Sequence, residues 1–185
     1  LKNIKAAMLI VGGWYDTELT ARGMRDAETT ADRLAMLIGQ REIEIYSSDL
    51  RRASQTAAAI ARRFGLPVTE TADLREISYG VAGGQSQEWL DARYSPAPDN
   101  NRLDYDCGIE GAETRRDVAI RVFPCVNAIV DRPCPTQIIV THGFTLSLVI
   151  AAWMKIPIDA CGFIHFPAKS GSITCLLYTS PSPRD

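Results

Sequence analysis

Apolar positions along the chain fall into blocks of two alternating periods. Residues 4–11, Ile-Lys-Ala-Ala-Met-Leu-Ile-Val, read as a buried strand ending at Gly12-Gly13. Past Thr20, a residue suited to cap a helix, Met24, Ala27, Ala31, Leu34, Ala35 and Ile38 share one helical face, and Gly39 supplies the stop. Residues 43–46 form a short strand, and Ser47-Ser48 is expected to cap a second helix with the stripe Leu50, Ala53, Ala57, Ile60, Ala61 and Phe64. Gly65-Leu66-Pro67 ends that helix. A short helix is expected over 86–94, then a Pro/Asp/Asn-rich loop over 95–106. A third long helix over 113–131 aligns Val118, Val122, Val126 and Ile129, with Pro124 expected to kink it or move its boundary. Residues 137–141 then read as a strand and 144–155 as a helix stopped by Pro157. Two short strands, 163–166 and 172–174, close the pattern.

Strands that alternate with helices across short connections predict a three-layer α/β/α domain with a mainly parallel central sheet. In such sheets the ligand crevice opens at the carboxyl ends of the strands. His142 stands at one such end and Ser47-Ser48 at another, and His142 is one of only two histidines, with His165.

Composition narrows the classes. The chain has 185 residues, 46% hydrophobic and 23% charged, with net charge −2, the balance of one soluble domain. No block of five like charges appears, so neither nucleic acid nor an anionic membrane is expected as a partner. The longest apolar run, around 148–154, falls short of the roughly 20 residues that span a bilayer. Five cysteines without Cys-x-x-Cys spacing suit reduced thiols and a cytoplasmic location, and two histidines make a zinc cluster improbable, so no metal or cofactor is expected. The ends are read separately. Residues 175–185 look like a translated sequencing-library adapter, and Leu1 is no initiator methionine. The expectation is a single domain over 1–174, cut at both ends.

Two further stretches carry chemistry. Ser47-Ser-Asp-Leu-Arg-Arg-Ala-Ser-Gln-Thr-Ala57 puts Arg51 and Arg52 in the first turn of a helix, where the dipole disfavours a cation unless an anion shares the site. Leu74-Arg-Glu-Ile-Ser-Tyr-Gly80 places Glu76 and Tyr79 just after a short strand.

Together with Gly12–Gly23, Gly111-Ala-Glu113-Thr114, Arg121 and Val140-Thr-His142-Gly143, these ordered motifs resemble the histidine phosphatase superfamily. The resemblance implies a phosphoglycerate mutase-like fold and a phosphoryl-transfer pocket of two histidines, two arginines and a carboxylic acid. One histidine attacks phosphorus while arginines and the second histidine surround the equatorial oxygens. It implies that Arg52 is the second pocket arginine, Glu76 the proton donor and His142 the second histidine. Gly13, Gly143 and Tyr79 would line the substrate, and Gly12 stands where the mutases carry a hydroxyl. The superfamily opens with Arg-His-Gly on a strand, which supplies the nucleophile, and no residue from 1 to 21 is His or Arg. The expectation is therefore a phosphatase of small phosphorylated metabolites, a possible homodimer, whose present chain lacks the nucleophile. Its alternatives are mutase-type transfer or a non-catalytic phosphate-binding domain. Glu76-Ile-Ser-Tyr79 and the short segment 84–110 favour phosphatase over mutase.

Overall fold

The computed structural model describes residues 11–177; the strand expected over 4–11 lies, but for Val11, outside the described residues. Three parallel strands, β1 (Glu44–Ser48), β2 (Val68–Thr71) and β3 (Gln137–Val140), form a sheet of order β2-β1-β3. Ile45 pairs with Val68 on one side and Ile138 on the other. From the central β1 the chain goes first to β2, then crosses back to β3. The topology thus switches direction between the carboxyl ends of β1 and β3, where open α/β sheets place ligands.

Strand alternation divides the interior in two. Ile45 and Ile138 face Ala31 and Leu34 of α1 (Ala21–Ile38) and Ile60 of α2 (Arg51–Phe64). Tyr46 and Ile139 face the other way, onto Val118, Val122 and Val126 of α4 (Arg115–Val130) and Leu148 of α5 (Gly143–Trp153). Helices on both faces make this the expected three-layer α/β/α fold. A third cluster, Val11, Ala82, Leu90 and Ile109, packs beneath the 80–112 segment, which carries the short helix α3 (Gln87–Asp91).

The ends of α1 are set as the sequence implies: Thr20 Oγ1 accepts the Gly23 N–H, and Gly39 turns the chain with φ +68°. A capping box starts α4, Thr114 and Asp117 each bonding the other's backbone N–H. Pro124 lies inside α4 without dividing it. The Ile120 carbonyl that a residue 124 N–H would engage belongs to an exposed residue, where water can replace the lost donor.

Two expectations are corrected. Ser47-Ser48 does not cap α2: both serines are the last residues of β1, fully buried, and the cap position is Leu50. The strands expected over 163–166 and 172–174 do not form. Ile158–Phe163 is a 3-10 helix, and the apolar alternation beyond it finds no ladder: Phe163 is exposed, and the Phe166 N–H donates to Ser147 Oγ instead.

Candidate active site

His142 is the cap residue of α5, delivered there by β3, and its extended backbone accepts the first helical bond from Leu146 N–H. Its Nε2 lies 2.8 Å from Ser48 Oγ at the end of β1, so one hydrogen bond spans the topological switch point. Burial, then the charges of Arg52 and Arg121, push the imidazole down to about 3, against a weaker opposing pull from Asp49. His142 is therefore neutral near pH 7, in a cationic field that favours an anion.

Arg51 and Arg52 share a helix turn and diverge. Arg51 reaches outward to Glu18 at 2.6 Å, both side chains more than half exposed. Its N–H donates to Asp16 Oδ1, which supplies the α2 cap that the serines do not. Arg52 turns inward: Nη2 donates to the Gly13 carbonyl at 2.7 Å and Nη1 to the Tyr15 carbonyl at 3.1 Å. Burial lowers its pKa, partly offset by the charges of Glu76 and Asp16. Among the described residues no carboxylate forms an ion pair with it.

Glu76 stands at the amino end of α5. Its Oε2 accepts the Phe144 N–H at 3.1 Å, and Oε1 accepts the Thr145 N–H and hydroxyl at 3.2 Å and the Ile77 N–H at 3.0 Å. A carboxylate set against the amino end of a helix complements the helix dipole. The loop that carries Glu76 is fixed from several sides. Thr141 Oγ1 donates to the Leu74 carbonyl and Thr145 Oγ1 to that of Arg75. Trp14 Nε1 donates to the Glu76 carbonyl at 2.6 Å, and Arg75 holds Asp49 bidentately.

Arg121 contributes most to this scaffold. It pairs with Glu113 at 2.8 and 2.9 Å and donates to the carbonyls of Asp73, Arg75 and Glu76. Glu113 in turn accepts the Ser78 N–H. Gly13 has φ +59°, and a Cβ there would meet Tyr79 Cδ2 at 2.8 Å and the Ile77 carbonyl at 2.9 Å; only glycine fits. Gly12 has open space where a side chain would go. Burial and the neighbouring charge of Glu76 raise the Tyr79 phenol. Gly143 is exposed, and a Cβ there would lie 4.0 Å from Glu76 Oε2.

The structure thus brings Arg52, Glu76, His142, Gly13, Gly143 and Tyr79 into one neighbourhood, while His165 is exposed. Sequence reasoning gave three contributors no role in the site: Ser48, placed at a strand's carboxyl end but read as a helix cap, Asp16, an acid ahead of a helix, and Arg121, part of a motif.

Residues 5–184 match the histidine phosphatase superfamily (branch 1). Over 169 residues the chain is 34% identical to a glucosyl-3-phosphoglycerate phosphatase of Mycobacterium tuberculosis, covering 86% of this chain and 72% of that protein. It is 32% identical over 145 residues to a 2,3-bisphosphoglycerate-dependent phosphoglycerate mutase of Methylobacterium radiotolerans, covering 75% and 68%. A solved mycobacterial glucosyl-3-phosphoglycerate phosphatase in complex with inorganic phosphate aligns with a TM-score of 0.65 at 32% identity, over 82% of this chain and 76% of that one.

Proposed function

The chain belongs to the histidine phosphatase superfamily, and on that premise we propose that it forms the greater part of a metal-independent phosphatase pocket for small phosphomonoesters. The observation that carries this reading is the Arg52–His142–Glu76 group at the carboxyl ends of β1 and β3, with Arg52 in no ion pair among the described residues and His142 held neutral. In the proposed reaction Arg52 and His142 bond the equatorial phosphoryl oxygens, where charge spreads in the transition state. The backbone N–H of Gly143, an exposed residue at the amino end of α5, adds a donor at a helix terminus in this reading. Glu76, released from its α5 contacts and protonated, passes its proton to the leaving alcohol. A second histidine accepts the phosphoryl group, and water then cleaves the phosphoramidate to regenerate it.

We assign that nucleophile to neither histidine of this chain: His142 is engaged with Ser48, and His165 is exposed and matches no motif of the superfamily. The chain as it stands therefore binds phosphate without turning it over. A reducing cytoplasmic setting agrees with all five cysteines being unpaired. Among the described residues no helix is long and apolar enough to cross a membrane. The segment 84–110 is short where the resemblance gives mutases a longer insert, which supports hydrolysis over transfer to a second substrate.

The test joins a strand bearing Arg-His-Gly ahead of Gly12 and measures hydrolysis of an aryl phosphate in the presence of a chelator. The expected result is activity that His142→Ala cuts by 100-fold or more, about 3 kcal/mol of lost transition-state stabilisation. Undiminished activity in His142→Ala overturns the pocket assignment. Equal hydrolysis by the unextended chain overturns the missing nucleophile.

A further inference from the structure

His142 is anchored twice, by its backbone as the cap of α5 and by its ring, whose Nε2 lies 2.8 Å from Ser48 Oγ. Which of the two side chains donates follows from what else surrounds the serine. Ser48 closes β1 opposite Thr71 of β2 and is fully buried, and its Oγ already accepts the Leu50 N–H at 3.3 Å. Its hydroxyl still carries a proton of its own. Ser47 spends the neighbouring hydroxyl on the Ser48 carbonyl, at 2.8 Å. Among the described residues His142 Nε2 is thus the one acceptor within reach of the Ser48 proton.

Were Nε2 itself protonated, Ser48 Oγ would have to accept from it, and the serine proton would be stranded in the interior. A buried donor left without a partner costs free energy. Nε2 therefore accepts, and in a neutral imidazole the proton then sits on Nδ1. An imidazolium meets the same obstacle, because it too carries a proton on Nε2; the charges of Arg52 and Arg121 and the burial of the ring oppose it further, with Asp49 the weaker counterweight. Nδ1 has no partner among the described residues, and the side chain is only partly buried. One unused N–H donor therefore leaves the ring on the side away from Ser48.

We propose that Ser48 is a positioning residue: by donating to Nε2 it fixes His142 as the neutral Nδ1–H tautomer and so presents Nδ1–H, not Nε2, to the phosphoryl oxygen. The proposal rests on the phosphatase reading in taking the phosphoryl group as what Nδ1–H meets. It adds which nitrogen makes the bond and what decides it, a serine that does not touch substrate. It also limits what His142 does in the reaction. With its one basic nitrogen engaged by Ser48, His142 donates a hydrogen bond but takes up no proton, and proton transfer is left to Glu76.

The test records long-range nitrogen–proton correlation spectra of the histidine rings on the 185-residue chain, at pH 8, where an exposed histidine is neutral. Nδ1 of His142 should resonate as a protonated nitrogen and Nε2 as an unprotonated one. A free neutral histidine side chain prefers the reverse, and exposed His165 supplies that reference in the same spectrum. Inorganic phosphate should then shift both His142 nitrogens, with the proton remaining on Nδ1. Ser48→Ala should move the proton of most His142 rings to Nε2 and weaken phosphate binding by about threefold or more, because only the remaining rings are competent. Ser48→Thr, which keeps the hydroxyl, should retain the wild-type tautomer and affinity. The wild-type spectrum decides the tautomer even if Ser48→Ala does not fold, and Ser48→Cys, whose thiol is a weak donor, then replaces it. A wild-type His142 with its proton on Nε2, or a tautomer that Ser48→Ala leaves unchanged, overturns the proposal. If the tautomer is Nδ1–H and answers to Ser48, yet phosphate shifts neither nitrogen, the phosphatase reading fails and the positioning role with it, while the tautomer stands.

Discussion

Replacing Arg121 by alanine should cost this domain more than removing any exposed arginine. The Arg121 and Glu113 side chains are only 15% and 16% exposed, and the arginine makes five hydrogen bonds: two to Glu113 and three to the carbonyls of Asp73, Arg75 and Glu76. Removing one partner of a buried ion pair costs about 3–5 kcal/mol, mostly because the other charge stays behind unpaired. Here three carbonyls lose donors as well. Arg62–Glu28 is the internal control, an ion pair with both side chains more than half exposed, whose loss should cost no more than about 1 kcal/mol. Urea denaturation with an unchanged m value separates stability from compactness. For a domain of this size, about 2–4 °C of melting temperature per kcal/mol predicts a fall of at least 6 °C. An Arg121→Ala loss no larger than that of Arg62→Ala would refute the clamp, and with it the account of how Glu76 is held.

Other consequences are smaller in scale. Ser48→Ala leaves His142 Nε2 without its buried partner and should cost about 1–3 kcal/mol in the same denaturation assay. Gly13→Ala forces a left-handed backbone onto a residue with a Cβ and drives that Cβ into Tyr79; a loss of at least about 1–2 kcal/mol is expected from the backbone alone, read as a lowered melting temperature. His142 also predicts a pH dependence. Unfolded, it takes a proton near pH 6.5; folded, only near 3. Between those values the unfolded chain binds more protons, so stability falls as pH drops through that window, by an amount on the order of 5 kcal/mol in all. The fall should be absent above pH 7 and shallower in His142→Gln, as followed by urea midpoints from pH 7 to 4.

The helices were legible because their apolar stripes report directly on which face is buried: Ala27, Ala31 and Leu34 on α1, and Val118, Val122 and Val126 on α4. His142 was legible for a related reason, since a histidine between a buried strand and a buried helix has few places to stand except the sheet's carboxyl edge. Ser47-Ser48 was misread because serine suits both a helix cap and a strand end, and the choice depended on Asp16, 35 residues before Arg51. The Arg121 clamp reaches carbonyls 45 to 48 residues away, contacts that no local pattern encodes. Phe163–Phe166 alternated like a strand, but alternation shows only a preference for a half-buried ladder. Where no partner strand lies alongside, the segment finds other bonds.

The central claim is that His142, and not His165, belongs to a phosphate site. Histidine side-chain nitrogen NMR on the intact chain, before and after addition of inorganic phosphate at pH 7, tests it directly. The account predicts that the His142 ring is neutral without phosphate, that its Nε2 resonance moves on addition, that Arg52→Gln suppresses the movement, and that His165 stays in place. Movement of His165 alone, or a His142 response untouched by Arg52→Gln, would contradict it.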